Sequence, residues 1–129
     1  MSLSLRLNVS GFARSLRFYT DVLGFVTLRY DAEQRCAEVE RDGIAIEIGE
    51  SSAEIAPLEY PFGRGVTIIV WTRDVEAVLA GIEAYGARLH SPPAIREHVE
   101  DGRNFSHVAF DVCDPDGYKL RFCQSLAAE

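Results

Sequence analysis

The strongest constraint on this chain is that it delivers one order of elements twice. The first segment, LSLRLNV, sets Leu3, Leu5, Leu7 and Val9 on one face and Ser4, Arg6 and Asn8 on the other, the period of a half-buried strand. SGFARSLRFYTDVLGF follows, with Ser10 placed to cap a helix, Phe12, Leu16, Tyr19 and Leu23 at helical spacing, and Gly24 at its end. FVTLRYD, RCAEVERD and GIAIEIG then read as three short strands between turn residues. After a polar stretch rich in proline and glycine, ESSAEIAPLEYPFGRG, the order restarts. VTIIVWT is a strand and RDVEAVLAGIEAYGA a helix closed by Gly86; ARLHSPP, AIREHVEDG, NFSHVAFDV and YKLRFCQ supply further strands.

This is an α+β chain of two β-α-β-β-β modules, residues 1–50 and 63–125, joined by a linker at 51–62. A helix covers one face of each sheet from the outside, so the expected architecture is a curved mixed sheet whose other face lines a shared cleft. At 129 residues, the chain has room for one domain with a real core.

Alternation also sorts the strand residues by face. Burying Ile44, Ile46 and Ile48 leaves Ala45 and Glu47 on the open face; VTIIVWT is apolar on both faces and fits either way round, and putting Ile68 and Val70 under the helix leaves Thr67, Ile69 and Trp71 open. In the last strands, Leu120 and Phe122 turn inward, as do Val108, Phe110 and Val112; Phe105, His107, Asp111, Lys119, Arg121 and Cys123 stay open. A solvated sheet face accounts for the charged members of this set. It does not account for Trp71 and Phe105, which a pocket or a subunit interface would cover.

Composition excludes several functions. A net charge of -7 repels phosphate backbones, and no basic run offsets it, so neither nucleic acid nor an anionic membrane surface is an expected partner. No apolar run reaches the roughly 20 residues that cross a bilayer, and the opening residues lack a signal-peptide pattern, so a cytoplasmic location is expected. Cys36, Cys113 and Cys123 have neither the number nor the spacing of a disulfide framework or a zinc cage. No Ser-His-Asp or Cys-His constellation and no phosphate-cradling glycine loop is visible.

SLRFYTDVLGF, DVEAVLAGIEAYGA and DPDGYKLRF, in that order on a duplicated background, resemble the vicinal-oxygen-chelate superfamily of glyoxalase I, extradiol dioxygenases and bleomycin-resistance proteins. Metal-binding members hold a divalent ion with His or Gln on the first strand of each module and Glu on the last. The resemblance puts those positions on Ser4, Glu47, Thr67 (Val66 with a one-residue shift) and Arg121. One ligand of four survives, and a guanidinium has no lone pair for a metal, so no metal cofactor is expected. None of His90, His98 and His107 falls on a ligand position. An ion pair between Glu47 and Arg121 is the expected replacement for the ion.

The resemblance then implies a metal-free small-molecule binding protein of the bleomycin-resistance type. Trp71, Phe105 and His107 would line the cleft, and Arg6, Glu47, Lys119 and Arg121 would contact the ligand. These cations argue for a ligand other than a cationic drug. The alternative is a glyoxalase-like lyase or isomerase, or a dioxygenase, acting on a small carbonyl or aromatic substrate. In a metal-free isomerase Glu47 would be the base, weakened by Arg121 beside it. A third reading gives the cleft residues to a dimer interface, since members of this superfamily commonly form homodimers, sometimes by exchanging modules.

Overall fold

In the computed structural model, which describes residues 3–52 and 58–126, the first strand does not pair with its neighbour in sequence. β1 (Leu5–Val9) lies parallel to β4 (Ile44–Glu50), and a parallel pair needs a crossover. The crossover is α1 (Phe12–Arg17), which widens into a π-helical turn at Phe18–Val22 and ends where Gly24 takes a φ of +76°. β2 (Val26–Asp31) and β3 (Cys36–Arg41) complete an antiparallel meander, giving the order β1-β4-β3-β2. The second half repeats this arrangement. β5 (Thr67–Trp71) runs parallel to β8 (Lys119–Ser125), with α2 (Val75–Tyr85) as crossover. β6 (Leu89–Glu100) and β7 (Arg103–Cys113) make the order β5-β8-β7-β6. The chain is thus α+β, with two four-stranded mixed sheets of identical topology.

The alternation read from the sequence decides which face each sheet buries. Ile46, Ile48, Val70, Phe110, Leu120 and Phe122 are buried in one apolar core that both modules share. The two helical crossovers meet each other there: Gly81 of α2 lies so close to the Val22 carbonyl that a Cβ would come within 2.6 Å of its oxygen. No helix among the described residues is long and apolar enough to cross a membrane.

The turn between β7 and β8, DPDG, is the polar joint of the two modules. Buried Asp114 accepts the Tyr19 hydroxyl at 2.8 Å, and its other oxygen accepts the N–H groups of Asp116 and Tyr118 at 2.9 Å each. Asp116 accepts both the backbone N–H of Ser10, at 2.9 Å, and its hydroxyl, at 2.5 Å. Tyr118 donates its hydroxyl to the Asn8 carbonyl at 2.8 Å. Ser10 is therefore not the expected helix cap: Gly11 takes that place without a side-chain bond, and Glu50 accepts the N–H of Phe12 at 3.3 Å.

Two other expectations change. ARLHSPP and AIREHVEDG form one twelve-residue strand, because β6 is an edge strand and its register shifts flank Pro92 and Pro93, so their missing N–H groups cost no ladder bond. Residues 53–57 of the linker lie outside the described residues; its end docks onto the DPDG turn, with Pro61 against Gly117 and Phe62 edge-on to Tyr118 at 5.9 Å.

Two predictions follow, one from the contact between the crossovers and one from the DPDG joint. Gly81→Ala raises helix propensity by about 1 kcal/mol yet is expected to lower stability by about 1–3 kcal/mol through overpacking against Val22; a urea titration showing equal or higher stability contradicts the contact. Burial pushes the Asp114 carboxyl up to about 6 from 3.8, against the opposing pull of its hydrogen bonds. Between those values the folded chain keeps a proton that the unfolded chain releases, so the contribution of Asp114 to stability falls as pH rises through that window and levels off above it. The neutral isostere Asp114→Asn is expected to remove this slope, roughly 1–3 kcal/mol between pH 4 and 7; parallel stability profiles for variant and wild type would contradict it.

Candidate functional site

Each sheet presents its polar face through the alternate residues of strands whose other residues build the core. On the first sheet, the parallel register sets Arg6 of β1 beside Glu47 of β4, and their side chains pair at 3.3 Å. Arg6 also donates from Nε to Asn8 at 3.1 Å and lies over Gly49, where any Cβ would collide with its guanidinium. Arg29 and Glu38 pair alongside at 3.2 Å. Ser4, Arg6, Arg29, Glu38, Ala45 and Glu47 line a cavity of about 160 Å³.

On the second sheet, the antiparallel register sets Arg121 of β8 opposite Asp111 of β7. The guanidinium grips the carboxylate with two bonds, Nε to Oδ1 at 2.8 Å and Nη2 to Oδ2 at 3.1 Å. The Asp111 side chain is only 3% exposed, and the Arg121 bonds hold its pKa below the usual carboxylate value against the opposing effect of burial. Bidentate geometry of this kind fixes orientation as well as charge.

Toward one end of this face, Trp71, His98, Phe105 and His107 form an aromatic cluster. The Trp71 ring lies 5.2 Å from that of His107 and 5.9 Å from that of His98, and His98 stacks on Phe105 at 5.8 Å. The two imidazoles approach each other through Nδ1 atoms 2.9 Å apart. Burial lowers the His107 pKa, and the charges of His98, Arg96 and Arg121 lower it further. Trp71, His98, Glu100, Phe105, Ser106 and Ser125 line a cavity of about 480 Å³. At the other end, Lys119 and Thr67 line a separate cavity of about 360 Å³ with Arg64, His90 and Cys113. The Cys113 sulfur lies 3.8 Å from His90 Nδ1, and burial pushes this thiol up, away from the thiolate form.

Trp71, Phe105 and His107 therefore come together as expected from their shared face, Lys119 and Thr67 lie apart from them, and Ser4, Arg6 and Glu47 stand on the other sheet. The expected ion pair between Glu47 and Arg121 is not formed: each has a partner on the adjoining strand of its own sheet, Arg6 and Asp111. No cavity described here is lined by both polar faces. Sequence reasoning placed Asp111 on the open face, where it is in fact buried under its pairing with Arg121, and weighed His98 only as a ligand at the superfamily's position, not as part of the aromatic cluster. The signal for both is cross-strand register: the unbroken β7–β8 ladder sets Asp111 opposite Arg121, and the two-residue Asp101-Gly102 turn sets His98 opposite Phe105 and so diagonal to His107.

The residues do not fit a divalent ion at the superfamily's position. Ser4 and Thr67 offer hydroxyls in different cavities, Glu47 is engaged by Arg6, and Arg121 is a donor already bound to Asp111. Such a set lacks the convergent anionic or imidazole ligands that a divalent ion needs.

Comparison with known proteins agrees with the topology. The family model described as Glyoxalase/Bleomycin resistance protein/Dioxygenase superfamily matches residues 3–122. A lactoylglutathione lyase of Haemophilus influenzae is 31% identical over 131 residues, covering 95% of this chain and 91% of its own. Among solved structures, TioX from Micromonospora sp. ML1 superposes with a TM-score of 0.69 at 18% identity, covering all of this chain and 99% of its own. A glyoxalase/bleomycin resistance protein/dioxygenase from Alicyclobacillus acidocaldarius gives a TM-score of 0.70 at 15% identity, covering 98% of this chain and 92% of its own. With its duplicated β-α-β-β-β modules and a family match over almost its whole length, this chain belongs to the glyoxalase/bleomycin resistance protein/dioxygenase superfamily.

Proposed function

We propose that this chain is a small-molecule binding protein without a metal ion at the superfamily's position, and that it holds a planar, anionic or carbonyl-bearing ligand against its second sheet. The observation that carries this reading is the two-bond grip of Arg121 on Asp111 at the position where metal-binding members offer a carboxylate. Trp71, Phe105 and His107 supply stacking surface, and Trp71, 46% exposed, has area left for a ligand to cover. Lys119, in no ion pair among the described residues, lies at the far end of this face in the neighbouring cavity and meets the anionic end of a ligand that extends from the aromatic cluster past Arg121. A net charge of -7 and free cysteines fit a small ligand rather than nucleic acid, and the cytoplasm as the location.

A homodimer completes this reading. Arg6 and Glu47 reach the ligand when the first sheet of one copy faces the second sheet of another, and burial in such an assembly accounts for the exposed apolar residues of the edge strands, Val26, Leu28 and Tyr30 on β2 and Ile95 and Val99 on β6. Sedimentation is expected to give a dimer at tens of micromolar, and a monomer at that concentration contradicts the arrangement.

A second reading, a lyase, is favoured by the 31% identity to a lactoylglutathione lyase. One set of measurements separates the two. Trp71 is the only tryptophan, so its emission reports on the cavity directly. Aromatic and conjugated carboxylates are expected to shift it saturably, with affinity about tenfold weaker in Lys119→Ala, close to 1.4 kcal/mol. Formation of lactoylglutathione from methylglyoxal and glutathione, abolished in Glu47→Gln, would overturn the binding reading in favour of the lyase. A broad panel that never perturbs Trp71 would overturn it in favour of a purely structural face.

A further inference from the structure

We propose that His98 and His107 form a two-imidazole site for a borderline transition-metal ion such as Ni(II), reached from the cavity that Trp71 and His98 line, with His107 buried behind His98. The site is separate from the superfamily's metal position at Ser4, Glu47, Thr67 and Arg121, and it stands whether or not an organic ligand occupies the same cavity.

The geometry is that of a chelate. The two Nδ1 atoms are 2.9 Å apart. Two imidazole nitrogens each about 2.0–2.1 Å from an ion, in adjacent positions about 90° apart, are separated by about 2.9 Å. The same contact forms as an N–H···N hydrogen bond when one ring carries its proton on Nδ1 and the other does not, so the ion takes the place of a single shared proton. Little ordering is needed for the exchange. His107 is buried beneath Trp71, and His98 is held by its stack on Phe105, so both rings already face each other in the free protein.

The chemistry of the surroundings selects the ion. Imidazole is the preferred donor of nickel, copper and zinc, whereas magnesium and calcium demand oxygen ligands that converge. No group of three or more His, Cys, Asp or Glu side chains among the described residues is arranged to hold a metal, so two protein ligands leave coordination positions open to water or to a chelating ligand in the cavity. Ser106, Ser125 and Glu100 border that opening, the last with its carboxylate 3.8 Å from Nε2 of His98.

The test is a Ni(II) titration of the untagged full chain, freed of metal by a chelator that is then removed, followed through Trp71, whose ring lies 5.2 Å from that of His107. Saturable quenching at one ion per chain is expected, with affinity at least about tenfold weaker in His98→Gln and in His107→Gln and unchanged in His90→Gln. Because ions that bind only the native state raise its melting temperature, Ni(II) is also expected to stabilise the wild type and not His98→Gln, a readout that holds even if His107→Gln fails to fold. Absence of saturable quenching, quenching that survives in His98→Gln, or quenching lost in His90→Gln each overturns the proposal; the last would place the ion at His90 and Cys113.

Discussion

The structure depends on a buried carboxylate. Asp114 sits in the turn before the last strand, accepts the hydroxyl of Tyr19 from the first helical crossover, and uses its other oxygen to hold the turn's own backbone. A short polar sequence, DPDGY, thereby fixes where the second module meets the first. Asp116 accepting from Ser10 and Tyr118 donating to Asn8 add three bonds to the same joint, all near the end of β1. The apolar residues of both sheets close around this joint as one core. The arrangement explains why so many hydrogen-bonding groups stand in a region that looks like an ordinary hairpin turn.

With the apolar faces committed to that core, the polar faces are left for chemistry, and each has settled its charges locally. Arg6 answers Glu47 on the first sheet, and Arg121 answers Asp111 on the second. These pairs differ in kind. The first is partly exposed and contributes little to stability. In the second the carboxylate is almost completely buried, so losing the guanidinium would strand a charge away from water. The buried pair therefore holds Arg121 in place, and it occupies the position from which a related enzyme would offer a ligand to its metal.

Much of the fold was legible in the sequence. Period-two alternation in GIAIEIG, VTIIVWT and YKLRFCQ placed Ile46, Ile48, Ile68, Val70, Leu120 and Phe122 in the core correctly, whereas Cys123, read as open, is buried too; Gly24 and Gly86 end their helical segments with positive φ as their positions implied. Where the reading failed, the missing information was relational. Pro92 and Pro93 read as the end of a strand because a proline interrupts a ladder, yet on the outer edge of a sheet the lost N–H has no partner to disappoint. The contact between His98 and His107 depends on a register set by the Asp101-Gly102 turn between β6 and β7, which reading each strand by itself does not use. Ser10 has the chemistry of a helix cap, but a carboxylate more than a hundred residues away claims it first.

The central proposal is that Arg121, locked to Asp111, stands in place of a metal ligand, so that no ion is held at the superfamily's position. A crystal structure of the protein grown in the presence of a divalent zinc or nickel salt, read for anomalous density beside Glu47 and Arg121, tests it most directly. The account predicts no ion there, with Arg121 still making two bonds to Asp111 and Glu47 still paired with Arg6. An ion coordinated by Glu47, with Arg121 turned away from Asp111 to admit it, would contradict the account.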